Sequence, residues 1–121
     1  MTLAELTEAL REFAEERDWG QFHTPKNLAM ALAGEAGELV AEFQWLTAEE
    51  SADLSSEQRA SVGEEMADVL IYLCRLADVT GIDLLAAASQ KLEANRARYS
   101  VDVARGSARK VPKEHDQAFG G

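Results

Sequence analysis

The sequence predicts an all-α domain with four main helices, and three kinds of observation point there. Apolar residues recur at three- and four-residue spacing over most of the chain. Helix-capping residues stand ahead of those periodic segments, at Thr2, Thr24, Ser55 or Ser56, and Asp83. Nowhere does Val, Ile or Thr alternate with polar residues as a strand requires.

The first helix is capped by Thr2, with Glu5 at capping-box spacing. Leu3, Leu6, Leu10, Phe13 and Arg17 trace one face, and the helix ends before Gly20. An aromatic loop follows, from Asp18 to Pro25, carrying Trp19, Phe22 and His23. Thr24 before Pro25 is a cap and first-turn signature, so a second helix runs from about Pro25 to Trp45. Gly34 and Gly37 inside it weaken it by roughly 1 kcal/mol each relative to Ala; they suit either close helix packing or open space beside Glu35 and Glu38. Thr47 to Ser56 is polar and reads as a loop with a short helical turn. A third helix extends to about Thr80, with Gly81 as its C-cap. Asp83 caps a fourth, reaching about Tyr99. Residues 100–121 show no helical period and read as an extended arm. The domain is expected to span residues 1–110, with 111–121 a disordered tail.

At 121 residues the chain is long enough for one domain with a real core. Its formal net charge of -10 argues against nucleic-acid polymers, which need a basic face. A small polyanion stays open, because bound metal can invert local charge. Cys74, the one cysteine, lies in an apolar run and reads as core packing. Met1 to Glu16 is charged and lacks the apolar centre of a signal peptide, and no segment approaches membrane-spanning length. A cytoplasmic protein with no membrane partner is the expectation.

The chemistry concentrates in two acidic pairs of equal spacing: Glu35 with Glu38, and Glu65 with Asp68. Three residues apart on a helix, each pair shares one face about one turn apart. Such like charges repel, and a cation removes the repulsion. Glu35 also replaces the apolar residue expected in the stripe Leu28, Leu32, Leu39, Phe43 and Leu46. Asp68 opens the run Val69–Cys74, which is apolar on every side and reads as largely buried; its main stripe is Val62, Met66, Val69, Leu73 and Leu76. A carboxylate in such a place needs a partner or a metal. Neither acidic helix carries a histidine, which disfavours a di-iron site of the Glu-x-x-His kind. All-oxygen ligands favour Mg2+, or Mn2+ in its place. Glu42 and Glu64 are outlying candidates.

Two further groups could serve a nucleotide. Trp19 and Trp45 can stack a planar base whose edge His23 meets. Trp45 lies seven residues beyond Glu38, roughly 10 Å along a helix. Lys91, Asn95 and Arg98 share a face of the fourth helix and could bind phosphate. Tyr72, one turn beyond Asp68, could reach a ligand. The plain alternatives are core aromatics and solvated charged faces.

At these residues the chain resembles the MazG-like all-α nucleotide pyrophosphohydrolases. That family carries Glu-x-x-Glu on one helix and Glu-x-x-Asp on the next, here Glu35-Ala-Gly-Glu38 and Glu65-Met-Ala-Asp68. The match is closer to the dCTP pyrophosphatase branch through Arg17–His23, Pro25–Leu28, Gly34–Trp45, Glu64–Cys74, Lys91–Tyr99 and Arg105–Ser107. The resemblance implies a four-helix bundle assembled as a dimer or dimer of dimers. It implies hydrolysis of a nucleoside triphosphate, dCTP or a modified dCTP, to monophosphate and pyrophosphate. It implies Mg2+ on Glu35, Glu38, Glu65 and Asp68, and a base pocket from Trp19, Gly20, Gln21, Phe22, His23 and Trp45. Tyr72, Lys91 and Asn95 would lie near sugar and phosphates. From these parts the mechanism is in-line attack by water, with Glu38 as its activating carboxylate and Lys91, helped by Arg98, stabilising the leaving pyrophosphate. The branch has a ligand-contacting histidine in its first helix; Leu10 stands at that place here, which leaves base preference open. A broader house-cleaning pyrophosphohydrolase and an acidic helical interaction module are the alternatives.

Overall fold

Each long helix starts at a side chain that the sequence marks as a cap. The computed structural model describes residues 1–113, and among them the helices are α1 (Leu3–Glu16), α2 (Pro25–Phe43), α3 (Ala48–Ser51), α4 (Ser56–Thr80), α5 (Leu84–Arg98) and α6 (Val101–Ala104). The Thr2 and Thr24 hydroxyls accept the backbone N–H of Glu5 and Asn27. Thr47 with Glu50, and Ser55 with Gln58, close full capping boxes. Asp83 accepts from the N–H of Ala86. Each such cap satisfies an orphan donor and contributes about 1 kcal/mol. Gly81 ends α4 with φ 70°, a left-handed conformation that glycine adopts without strain.

The all-α reading therefore holds, and no strand occurs among the described residues. One segment differs: Val101–Ala104 is a single helical turn, not extended chain. Four residues are too few to display a period, so the pattern could not announce it. The expected tail begins at Val111, whose N–H donates to the Tyr99 hydroxyl and whose carbonyl accepts from Arg98 Nε. Residues 114–121, with His115 and the rest of that tail, lie outside the described residues.

The chain divides into two compact units, Met1–Ile82 and the part from Asp83 onward. In the first, α4 is the central element, with α2 packed along it and α1 against it. Ala14, Leu28, Val62, Cys74 and Ala77 form the buried core. Burying a side chain the size of Leu28 contributes roughly 1.5–3 kcal/mol. Leu32, Leu39, Phe43 and Leu46 follow as the half-buried stripe expected for α2. The apolar run of α4 is less enclosed than its composition suggests, since Met66 is 58% and Leu70 41% exposed. Within the first unit α2 and α1 pack against α4, and Met66 and Leu70 remain exposed beside them. Among the described residues Gly34 and Gly37 meet nothing where a Cβ would stand, so they mediate no close helix approach there.

In the second unit, α5 lies beside the segment that returns to Val111, bound by the Tyr99 and Arg98 contacts.

Candidate functional site

The α2–α4 packing brings the two acidic pairs together. Glu35, Glu65 and Asp68 are each half-buried, and one carboxylate oxygen from each lies within 4.8 Å of the others. Partial burial pushes the Glu65 carboxyl above the ordinary range, and the charges of Asp68, Glu35, Glu38 and Glu42 add to that push. Hard oxygen donors held this close, carrying mutual repulsion, fit a divalent cation such as Mg2+ or Mn2+. Glu38 is exposed and outside this trio, though near enough for its charge to act on Glu65. Glu42 is half-buried and acts on Glu65 likewise, whereas Glu64 is exposed.

Asp68 also faces a second feature. A cavity of about 270 Å3 opens between α1, the following turn and α4, lined by Leu10, Phe13, Trp19, His23, Asp68, Tyr72 and their neighbours. Pockets for drug-sized ligands run to roughly 300–1,000 Å3, so this one suits a single planar ring. Its walls are mostly apolar. Trp19 meets the ring of Phe13 edge-on at 5.5 Å and that of His23 at 5.9 Å.

The turn that carries Trp19 and His23 is fixed from within. Trp19 N–H donates to the Ala14 carbonyl, and the Trp19 carbonyl accepts from Phe22 and His23. Asp18 takes a positive φ of 54°, and the Gln21 side-chain amide donates to both its carbonyl and its carboxylate. Asn27 Nδ2 ties the Phe22 carbonyl to α2.

Behind His23 lies a charged relay. The buried Arg75 donates from Nε to His23 Nδ1 at 3.0 Å and from Nη1 to Asp78 at 2.9 Å. Arg11, on α1, donates to both oxygens of Asp78 at 3.0 and 2.7 Å. The Arg11 hydrogen bond holds the Asp78 carboxyl below its usual range, and Arg75 adds to this. Burial, then the Arg75 charge, keeps the His23 imidazole below its ordinary value.

Of the residues expected at the site, the fold thus gathers Glu35, Glu65 and Asp68 in one cluster, and Trp19, His23, Asp68 and Tyr72 around one cavity. Glu38, Gly20, Gln21, Phe22 and Trp45 are not among them. Gln21 spends its amide on Asp18, Phe22 is 60% exposed, and Trp45, just past the end of α2, is 87% exposed. Lys91 and Asn95 belong to the second unit. There they line a cavity of about 480 Å3 with Arg98, Val111 and Lys113. Arg98 is engaged by the Val111 carbonyl and stacks near the Tyr99 ring, while its Nη2 is buried without an acceptor among the described residues. A cationic cavity with an unsatisfied guanidinium nitrogen suits an anion.

Arg75, Asp78 and Arg11 escaped the sequence reading. The signal was present: Arg75 interrupts an apolar run, and an acid follows three residues later. A buried cation of that kind needs a partner.

Comparison with known proteins places the sequence. The MazG-like family model matches residues 31–112. The chain belongs to the MazG-like family. It is 45% identical to dCTP pyrophosphatase 1 of Homo sapiens, over 98% of this chain and 75% of the human protein. Identity to dCTP pyrophosphatase 1 of Bos taurus is 48%, over 88% of this chain and 64% of the bovine one. Among solved structures, a pyrophosphatase from Archaeoglobus fulgidus superposes with TM-score 0.76 at 42% identity, covering 80% of this chain and 91% of that one. Among the described residues, no helix is long and apolar enough to cross a membrane.

Proposed function

We propose that this MazG-like protein is a nucleoside triphosphate pyrophosphohydrolase that converts dCTP, or a modified dCTP, to the monophosphate and pyrophosphate. The observation that carries the reading is the double membership of Asp68, which belongs to the carboxylate trio and to the ring-sized cavity. A base in that cavity would bring its own phosphates toward the oxygen-rich, cation-suited surface beside it. The dCTP pyrophosphatases of mammals and the archaeal pyrophosphatase support the activity class.

Glu35, Glu65 and Asp68, joined by Glu38, would hold Mg2+, or Mn2+ in its place, and the cation would supply charge neutralisation along the triphosphate. Glu38, exposed and outside the trio, is free to take a proton from the attacking water. Trp19 and Tyr72 flank the base, with Trp45, Phe22, Gly20 and Gln21 as the outer rim of the pocket in this reading. His23 meets the base edge. Lys91, Asn95 and Arg98 line the second unit's own anion-suited cavity, and Lys91 is the charge suited to a departing pyrophosphate. Residues 1–110 carry the activity.

The protein works as a homo-oligomer, a dimer or dimer of dimers, in which the four main helices complete a bundle. The exposure of the apolar side chains Met66, Leu70 and Val40 supports this, since each leaves apolar surface to water. The setting is cytoplasmic, in control of nucleotide pools, with no nucleic-acid or membrane partner.

A second reading has one observation in its favour. Leu10 lines the cavity and gives it an apolar wall where a hydrogen-bonding group would select one base. That favours broader specificity for other or damaged nucleotides. Steady-state kinetics over the four common deoxynucleotides, 5-methyl-dCTP and the ribonucleotides separates the two. The dCTP reading expects cytosine substrates to lead by at least about tenfold in kcat/KM. Comparable values across bases would overturn it.

A further inference from the structure

Three groups between α1 and α4 form a chain that ends at the cavity: Arg11, Asp78 and Arg75 lead to His23. We propose that Arg75 is a positioning residue that fixes His23 as the Nε2–H tautomer, so that the imidazole offers the cavity a hydrogen-bond donor and recognises a ring carrying an acceptor. The inference rests on the pyrophosphohydrolase reading for its substrate, and on geometry alone for the tautomer.

The geometry is specific. Arg75 Nε carries a hydrogen and no lone pair, and it stands 3.0 Å from His23 Nδ1. Nδ1 must therefore be the accepting, unprotonated nitrogen, which leaves the ring hydrogen on Nε2. A hydrogen on Nδ1 would set two donors against each other across that distance. Arg75 cannot turn away, because Nη1 is bonded to Asp78, which Arg11 grips through both oxygens. Arg75 is 8% exposed, so an unpaired alternative would leave its charge buried. Among the described residues no protein group is bonded to Nε2, and His23 lines the cavity. The charged groups around the imidazole are Arg75, Asp78 and Arg11 behind it and Asp68 across the cavity. The lowered pKa of His23 agrees with a neutral ring.

A donor fixed in this way distinguishes ring edges. It pairs with a carbonyl oxygen or an unprotonated ring nitrogen, and is repelled by an N–H or amino group. Cytosine offers both acceptors side by side. Without Arg75 the ring would interconvert between tautomers, and only part of the population would present the donor.

Long-range 1H–15N correlation of the 15N-labelled protein at neutral pH tests this, with His115→Gln assigning the remaining imidazole. The expected spectrum has His23 Nε2 in the protonated range and Nδ1 in the bare range. Arg75→Gln is expected to mix the tautomers and, at an even mixture, to raise KM for dCTP about twofold, because only half the population then presents the donor, with kcat unchanged. A wild-type ring protonated on Nδ1 overturns the proposal, whether or not the variant folds. So does an Arg75→Gln protein with the wild-type tautomer, or with mixed tautomers and unchanged KM. If the wild type hydrolyses no nucleotide, the functional reading fails, and the wild-type spectrum still decides the tautomer.

Discussion

Asp78 accepts hydrogen bonds from Arg75, one turn earlier on its own helix, and from Arg11 across the α1–α4 interface, so one carboxylate holds two guanidinium groups. Removing its charge leaves Arg75 buried without an anionic partner. Asp78→Asn is expected to cost about 3 kcal/mol at pH 7, read by urea denaturation.

The pH dependence has a definite sign. Asp78 titrates lower in the folded than in the unfolded chain, so its contribution is present above its ordinary value of 3.8 and fades as pH falls through the folded value. His23, also lowered, withdraws its own contribution below 6.5, where the unfolded chain protonates first. Stability is therefore expected to fall in two stages on acidification. The gap between wild type and Asp78→Asn should narrow only in the second, below 3.8. A gap that closes already near pH 6 would assign the effect elsewhere.

The carboxylate trio makes an unusual thermal prediction. With chelator present, Glu35→Gln should melt higher than wild type, because it relieves repulsion on Glu65 and Asp68. With Mn2+ at about a hundred times its dissociation constant, wild type should gain about 2.7 kcal/mol, or roughly 10 °C, and the variant little. Equal gains in both proteins would remove Glu35 from the cation site.

Glu38 should behave differently from the trio. Glu38→Gln is expected to lower kcat by about 10²–10⁴-fold, as for a lost general base, while Mn2+ still stabilises the fold through the trio, by less than in wild type. Loss of metal stabilisation in this variant would make Glu38 chiefly a ligand.

The two tryptophans can be told apart. Trp19 packs on Phe13 and lines the cavity, so Trp19→Ala should both destabilise the fold and raise KM. Trp45 is 87% exposed, so Trp45→Ala should change stability by less than about 0.5 kcal/mol. A loss of base stacking would still raise its KM about tenfold to a hundredfold. Unchanged KM in a fully stable Trp45→Ala protein would exclude that residue from the pocket.

Much of this was legible in the chain. The caps at Thr2, Thr24, Ser55 and Asp83 announce themselves because each is a short polar side chain ahead of an apolar period. Glu35 was legible because a carboxylate in an apolar stripe violates the pattern, and Glu65 with Asp68 because their spacing repeats it. Periodicity marks which residues share a face but not which faces meet. The family resemblance, not periodicity, put Gln21 in the base pocket, and neither could show the local hydrogen bond to Asp18 that holds its amide. Periodicity also missed Arg75, whose meaning depends on His23, 52 residues away in sequence. The same limit applies to the run from Val69 to Cys74. Composition gives its hydrophobicity but not how many neighbours cover it, and Leu70 is in fact exposed.

The most direct test of the account is product analysis of dCTP incubated with wild-type protein and with Asp68→Asn, in Mg2+ and in chelator, by anion exchange. Among the described residues Asp68 alone joins the carboxylates to the cavity, so the account predicts dCMP and pyrophosphate from the wild type in Mg2+ only, and nothing above background from a folded Asp68→Asn. Release of dCDP and phosphate, full activity in chelator, or near wild-type turnover by Asp68→Asn would contradict it.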